Sequence, residues 1–249
     1  MRTRKERKEG SARRSGELKG EMMKILNTEK EDYHVHSFNF SDGMSDIDEI
    51  VKFAGQLGMK KLVITDHSQA GIDAHGEPKK ASRSLLKGEN RWFNVFNDVE
   101  ISFGVEADLL DEEGNICDHI QGVRGDFIIL SYHEEVFKGD PKKVTQAFIK
   151  AIEKYHDKIH CIGHIYAFIK ETGIDIAKIV ACANKYKIPF ELNCRYITSG
   201  KHKADMEALK VMLDKAESIY VNSDAHTLWE LKELRNLGFK FLKDNGFMK

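Results

Sequence analysis

Cysteine is scarce in this chain, and its four residues, Cys117, Cys161, Cys182 and Cys194, form no CxxC pair. Nothing here builds a disulfide framework, so the thiols are read as reduced ones in a reducing compartment. No apolar run approaches 18 residues, which excludes a membrane-spanning helix. The basic N-terminus lacks the apolar stretch of a signal peptide, so the expected location is the cytoplasm. An excess of one charge is missing too: 39 basic residues stand against 40 acidic ones. The whole-chain balance therefore points to neither nucleic acid nor a membrane. Internal repeats and low-complexity runs are absent. So are a Walker loop and a strand–turn–helix serine motif.

What is present is enough for one large α/β domain or two small ones. The chain has 249 residues, 41% of them apolar, and its charged fraction of 32% is ordinary for a soluble protein. Residues 1–24 stand apart, with nine Lys or Arg and few large apolar residues. They read as a solvated or partly helical extension, or as an electrostatic arm for nucleic acid or another anion. The interspersed Glu6, Glu9, Glu17 and Glu21 weaken the second reading. The expected division is a basic extension over 1–27 and a single domain over 28–249.

From Lys30 the chain alternates β-rich runs with helical periods. The runs are Tyr33-Val35, Lys61-Thr65, Ile101-Glu106, Asp126-Ser131, Ile159-Gly163, Pro189-Leu192 and Ile219-Asn222. One helical face carries Ile47, Ile50, Val51, Ala54 and Leu57, with Ser45 as N-cap and Gly58 just past the end. Further stripes are Val144 to Tyr155, Ile176 to Tyr186, and Met206, Leu209, Leu213 and Ala216. Strands alternating with helices predict parallel βα units, and seven of them suggest a closed or nearly closed barrel. Gln69 to Lys87 reads as a long polar loop of the kind that covers substrates.

Chemistry gathers where these strands end. His34 and His36, two apart on a strand, share one face and can grip one ion. Asp42 follows in the next loop. Later strands end in Asp66-His67, Glu106-Ala107-Asp108, His133, His164 and Asp224-Ala225-His226. Six of the eleven histidines thus fall at the C-terminal ends of predicted strands, the rim where barrels of parallel strands build active sites. A lone histidine there is more often a satisfied core residue. Packing gives no reason for the whole set. Glu191 and Asn193 share a face at the end of the sixth strand and could orient the histidines, or form a salt bridge or loop cap. Asp66 and Asp108 have the same standing.

Taken in order, His34-Val35-His36-Ser37, Ser41-Asp42-Gly43, Ile64-Thr65-Asp66-His67-Ser68, Gly104-Val105-Glu106-Ala107-Asp108, Ser131-Tyr132-His133, Ile162-Gly163-His164 and Ser223-Asp224-Ala225-His226 resemble the PHP (polymerase and histidinol phosphatase) superfamily. The likeness runs over about residues 30–235. It implies a distorted seven-stranded TIM-like β/α barrel and a trinuclear site of Zn, Mn or Fe. By the resemblance His34, His36, Glu106 and Asp224 hold the first metal. Asp42, His67 and His226 hold the second, and Glu106, shared, with His133 and His164 the third. All nine positions carry competent ligands, which disfavours a non-catalytic accessory domain.

The resemblance further implies a stand-alone phosphoesterase; the expected chemistry is hydrolysis by a metal-bridging hydroxide, with the third metal, Asp66 or His226 assisting the leaving oxygen. The leading expectation is a histidinol-phosphatase-like phosphatase on a small phosphomonoester. The alternative is a 3'-5' exonuclease or nucleotide phosphodiesterase, which the basic arm would serve. Arg195 is the first candidate for binding phosphate. Arg91, Lys201, His202 and His75 are weaker ones, because surface solvation explains them equally. Trp92 and Phe93 could stack on a base or pack on a helix.

Overall fold

A computed structural model describes residues 23–87, 93–198 and 204–248. Residues 1–22 of the extension, with Arg91, Trp92, Lys201 and His202, lie outside the described residues. Seven strands form the frame: β1 Glu31–Val35, β2 Lys61–Ile64, β3 Glu100–Leu109, β4 Phe127–Ser131, β5 Cys161–Ile162, β6 Phe190–Asn193 and β7 Ser218–Asn222. They run side by side in the order β7-β6-β5-β4-β3-β2-β1, every pair parallel. All seven sequence-predicted runs are among them.

Closure of the sheet is local. Where β1 ends and just past the end of β7, Val35 bridges Ala225, Asp224 N donates to His34 O (3.0 Å) and His36 N to Ala225 O (2.9 Å). At the other end the side-chain amide of Asn27 stands in for a strand. Its Nδ2 donates to Val221 O (2.9 Å) and its Oδ1 accepts from Val221 N (2.8 Å). The short strand Lys24–Ile25 pairs with Ser218 and Ile219. Lys24 and Ile25, expected in the extension, therefore belong to the sheet.

Helices cover the outside: α1 Ile47–Gln56, α2 Gln69–His75, α3 Arg83–Lys87, α4 Val144–Tyr155, α5 Ile169–Thr172, α6 Ile176–Lys185, α7 Cys194–Thr198, α8 Met206–Lys215 and α9 Leu228–Asp244. The α1, α4 and α6 stripes bury their expected faces. Asp46 caps α1 in place of Ser45, because its carboxylate reaches Glu49 N while Glu49 returns to the cap backbone. Met206 departs from the α8 stripe: it is 50% exposed at the first turn. The expected loop from Gln69 to Lys87 contains both α2 and α3. Its cap comes from Ser68, whose Oγ accepts from Ala70 N.

Inside the barrel, Tyr33, Phe127 and Tyr220 meet with ring centroids 4.7–5.6 Å apart. They come from β1, β4 and β7, and β1 and β4 are not neighbours. Their rings meet only across the lumen, which they fill toward the N-terminal ends of the strands. The opposite mouth is open.

Candidate metal centre at the barrel mouth

At the open mouth lies a cavity of about 960 Å³ lined by Asp42, His67, Glu106, His133, His164, Asp224 and His226, among others. His34 and His36 sit beneath it, buried. All nine residues expected as ligands converge here. Three groups hold ligand atoms close enough to share an ion: His34, His36 and Asp224; His36, Asp42, His67 and His226; and His67, Glu106 and His133.

The contacts explain the grouping. His34 Nε2 and His36 Nε2 are 3.1 Å apart. Each is 3.5 Å from Glu106 Oε2, and they lie 3.7 and 3.2 Å from Asp224 Oδ1. Asp42 Oδ1 stands 3.5 Å from His67 Nε2 and 3.3 Å from His226 Nε2. Glu106 Oε1 meets His164 Nε2 at 2.7 Å and His133 Nε2 at 3.5 Å. His67 Nδ1 and Glu106 Oε2 are 3.0 Å apart, yet both are buried without a hydrogen bond, because the approach lies off the direction an N–H would take. Buried polar atoms are rarely left so. Nitrogen and oxygen donors aimed at common points, with orphaned atoms among them, fit divalent cations.

Outer contacts hold the rings. His34 Nδ1 meets Glu191 Oε1 at 2.7 Å and His133 Nδ1 meets Asp108 Oδ1 at 2.6 Å. Such carboxylate contacts fix which nitrogen faces the ion. Asn193 donates to both Glu191 (3.1 Å) and Asp224 (3.0 Å). Asp108 also accepts from Ser68 Oγ, the α2 cap, so one carboxylate sets His133 and the start of α2.

Asp66 is placed otherwise than its expected catalytic role requires. It is buried beside the Asp42 loop and is not part of the cavity wall. Its carboxylate accepts from Ser37 N (2.6 Å), Ser37 Oγ (2.7 Å) and Ser41 Oγ (2.6 Å). Burial still pushes it up to about 6. Lys80 adds a bond to Ser41 O (2.6 Å). Gly43 is needed in this loop: a Cβ there would lie 2.4 Å from His36 O. The signal for this loop was the pair of serines flanking His36 and Asp42.

Charges divide sharply among these side chains. Burial drives His36 down to about 3, so it is neutral. Burial also opposes charge on His67, but the pull of Glu106 outweighs it and raises His67 to about 9. Glu106 and Asp224 resist burial and stay well below the usual carboxylate range, held there by the surrounding imidazoles, His34 foremost.

Arg195, on α7, lines the cavity with its Nη1 2.6 Å from His226 Nδ1 and 3.3 Å from both Asp224 O and Glu230 Oε1. Guanidinium only donates, so this contact makes Nδ1 an acceptor. Ligation through His226 Nε2 needs the other tautomer, in which Nδ1–H can donate to Asp224 O, 3.0 Å away. His75 crosses the mouth to Glu135 (2.5 Å). Phe93 lies on the outer surface near α1, in a second, smaller hollow.

Comparison with known proteins gives a consistent result. The PHP domain family matches residues 32–197. A "Probable phosphatase" of Caldicellulosiruptor bescii is 30% identical over 199 residues, 78% of each chain. The Escherichia coli "Probable phosphatase YcdX" is 28% identical over 207 residues, 81% of this chain and 80% of the relative. The solved structure of a candidate histidinol phosphatase from Listeria monocytogenes shares the fold. Its TM-score is 0.54 at 16% identity, over 84% of this chain and 99% of that one.

Proposed function

The chain belongs to the PHP family, and on that premise we propose that it is a metal-dependent phosphatase of small phosphomonoesters. One observation carries the reading: imidazoles and carboxylates from six strands converge at one barrel mouth, with His67 Nδ1 and Glu106 Oε2 buried and unbonded. In this reading His34, His36, Glu106 and Asp224 hold one ion, and Asp42, His67 and His226 a second. His133 and His164, with Glu106 shared, hold a third. The absence of thiolate in the set suits Zn²⁺, Mn²⁺ or Fe²⁺. When bound, such ions supply positive charge for phosphoryl oxygens and lower the pKa of a water.

The side chains supply the rest. Arg195, steadied by Glu230 and the Asp224 carbonyl, presents a guanidinium to an arriving phosphate. Asp66 serves as a positioning residue that fixes the Ser37–Ser41 turn and with it Asp42. His226, expected also as a proton donor, has no proton to give while Nε2 ligates an ion and Nδ1–H faces the Asp224 carbonyl, so in this reading it acts as a ligand alone.

Cavity charge favours a small substrate over a polymer. Glu134, Glu135, Glu171, Asp205 and Glu207 stand on its wall against the described cations Lys170 and Arg195. A nucleic-acid backbone would be repelled there. That weighs against the exonuclease reading.

The test compares p-nitrophenyl phosphate, bis-p-nitrophenyl phosphate and labelled single-stranded DNA after metal loading. Fastest turnover is expected on the monoester, and loss of both ions and activity in the His34→Ala, His36→Ala variant. Unchanged metal content with undiminished activity in that variant would sink the site assignment. A loaded protein that turns over only the diester or DNA would sink the monoester assignment.

A further inference from the structure

The seam between β1 and β7 holds a buried ion pair that the phosphatase reading does not use. Asp32, on β1, and Arg235, on α9, are both buried, with Arg235 Nε 3.1 Å from Asp32 Oδ2. The approach is that of an ion pair rather than a directed hydrogen bond, since Nε has no hydrogen-bond partner. Arg235 Nη1 donates to two carbonyls of the chain entering β1, Glu29 O (2.6 Å) and Glu31 O (3.0 Å).

Asp32 spends its oxygens on the two backbones that carry metal-ligand candidates. Oδ1 accepts from His34 N (3.2 Å) and from Ser223 N (3.2 Å). Oδ2 accepts from Ser223 Oγ (2.6 Å), whose oxygen in turn accepts from Ala225 N (3.1 Å). Between Ser223 and Ala225 lies Asp224, held at φ 56°. That left-handed conformation is unfavourable for a residue with a side chain and persists only where neighbours enforce it.

We propose that Asp32 and Arg235 are positioning residues through which α9 sets His34 and Asp224 for metal binding. One carboxylate bonds His34 N directly and, through Ser223, the residues on either side of Asp224, and Arg235 holds that carboxylate in place. The pair therefore couples the C-terminal helix to the deepest ligand group, His34, His36 and Asp224. This rests on the reading that those residues bind an ion.

The experiment is chelator competition with Zn²⁺ on the full chain, in wild type, Arg235→Met, Arg235→Lys and Leu242→Ala. Leu242 is buried on the same helix, and its truncation controls for general loosening. Arg235→Met is expected to lower affinity for the tightest ion by about tenfold or more. Arg235→Lys should lose less, and Leu242→Ala should keep wild-type affinity despite a lowered melting temperature. Equal affinity in Arg235→Met and wild type overturns the proposal, as does an equal loss in Leu242→Ala. A wild type that binds no Zn²⁺ overturns instead the metal reading beneath it. Where Arg235→Met fails to fold, Ser223→Ala removes one contact of Asp32 and leaves the ion pair; unchanged affinity there overturns the proposal.

Discussion

His34 shows how a single side chain is prepared for a metal. Its Nδ1 is occupied by Glu191 at 2.7 Å, which leaves Nε2 to face His36 and Asp224. Glu191→Gln keeps the shape and removes the charge. Metal affinity is expected to fall about 10–100-fold, measured by chelator competition. His67 sets a pH dependence. Raised from 6.5 to about 9, its imidazolium stabilises the metal-free fold fully below about pH 6.5, and that contribution is lost as pH climbs through 9. The metal must displace the same proton, so affinity should rise between pH 6.5 and 9, with proton release seen by calorimetry in two buffers. Flat affinity over that window would contradict it. The ligand candidates other than Asp42 were legible because each sits beside the end of an apolar run. The role of Asp66 was not: an aspartate beside a histidine looks the same whether it faces a cavity or, as here, serines 25 and 29 residues away.

At the level of elements, α9 begins where the cluster ends. Thr227 and Glu230 close a capping box on it, and Glu230 also bonds His226 N and reaches Arg195. Thr227→Ala should destabilise the fold by about 1 kcal/mol in denaturant titration. Glu230→Gln should raise KM for phosphomonoesters more than it lowers kcat, because it loosens Arg195. The α1, α4 and α6 stripes were readable from their apolar spacing. The 17 residues of α9 show no such stripe, since charged residues break their apolar run. The sign that could have found the helix is Thr227-x-x-Glu230. The Asp46 cap of α1 was displaced by one residue for a similar reason: Ser45 and Asp46 are both good caps, and only Glu49 distinguishes them.

For the whole molecule, the β1–β7 seam is where sequence says least. Arg235 bonds a carbonyl 206 positions away, and Asn27 bonds one 194 away. No local pattern announces contacts of that span. The barrel itself was legible because seven apolar runs recur with helices between them. Its core is correspondingly ordinary, and Phe148→Ala, at a fully buried position on α4, should cost about 3–5 kcal/mol by thermal unfolding.

The rings of Tyr33, Phe127 and Tyr220 give the barrel a floor. With that floor in place the lumen is a cul-de-sac. Whatever enters over His67 and Arg195 must leave by the same door. In the phosphatase reading, the phosphate left after cleavage occupies the place the next ester needs, and no back exit relieves the queue. Inorganic phosphate should then inhibit in strict competition with substrate, and initial rates at rising phosphate should converge at saturating ester.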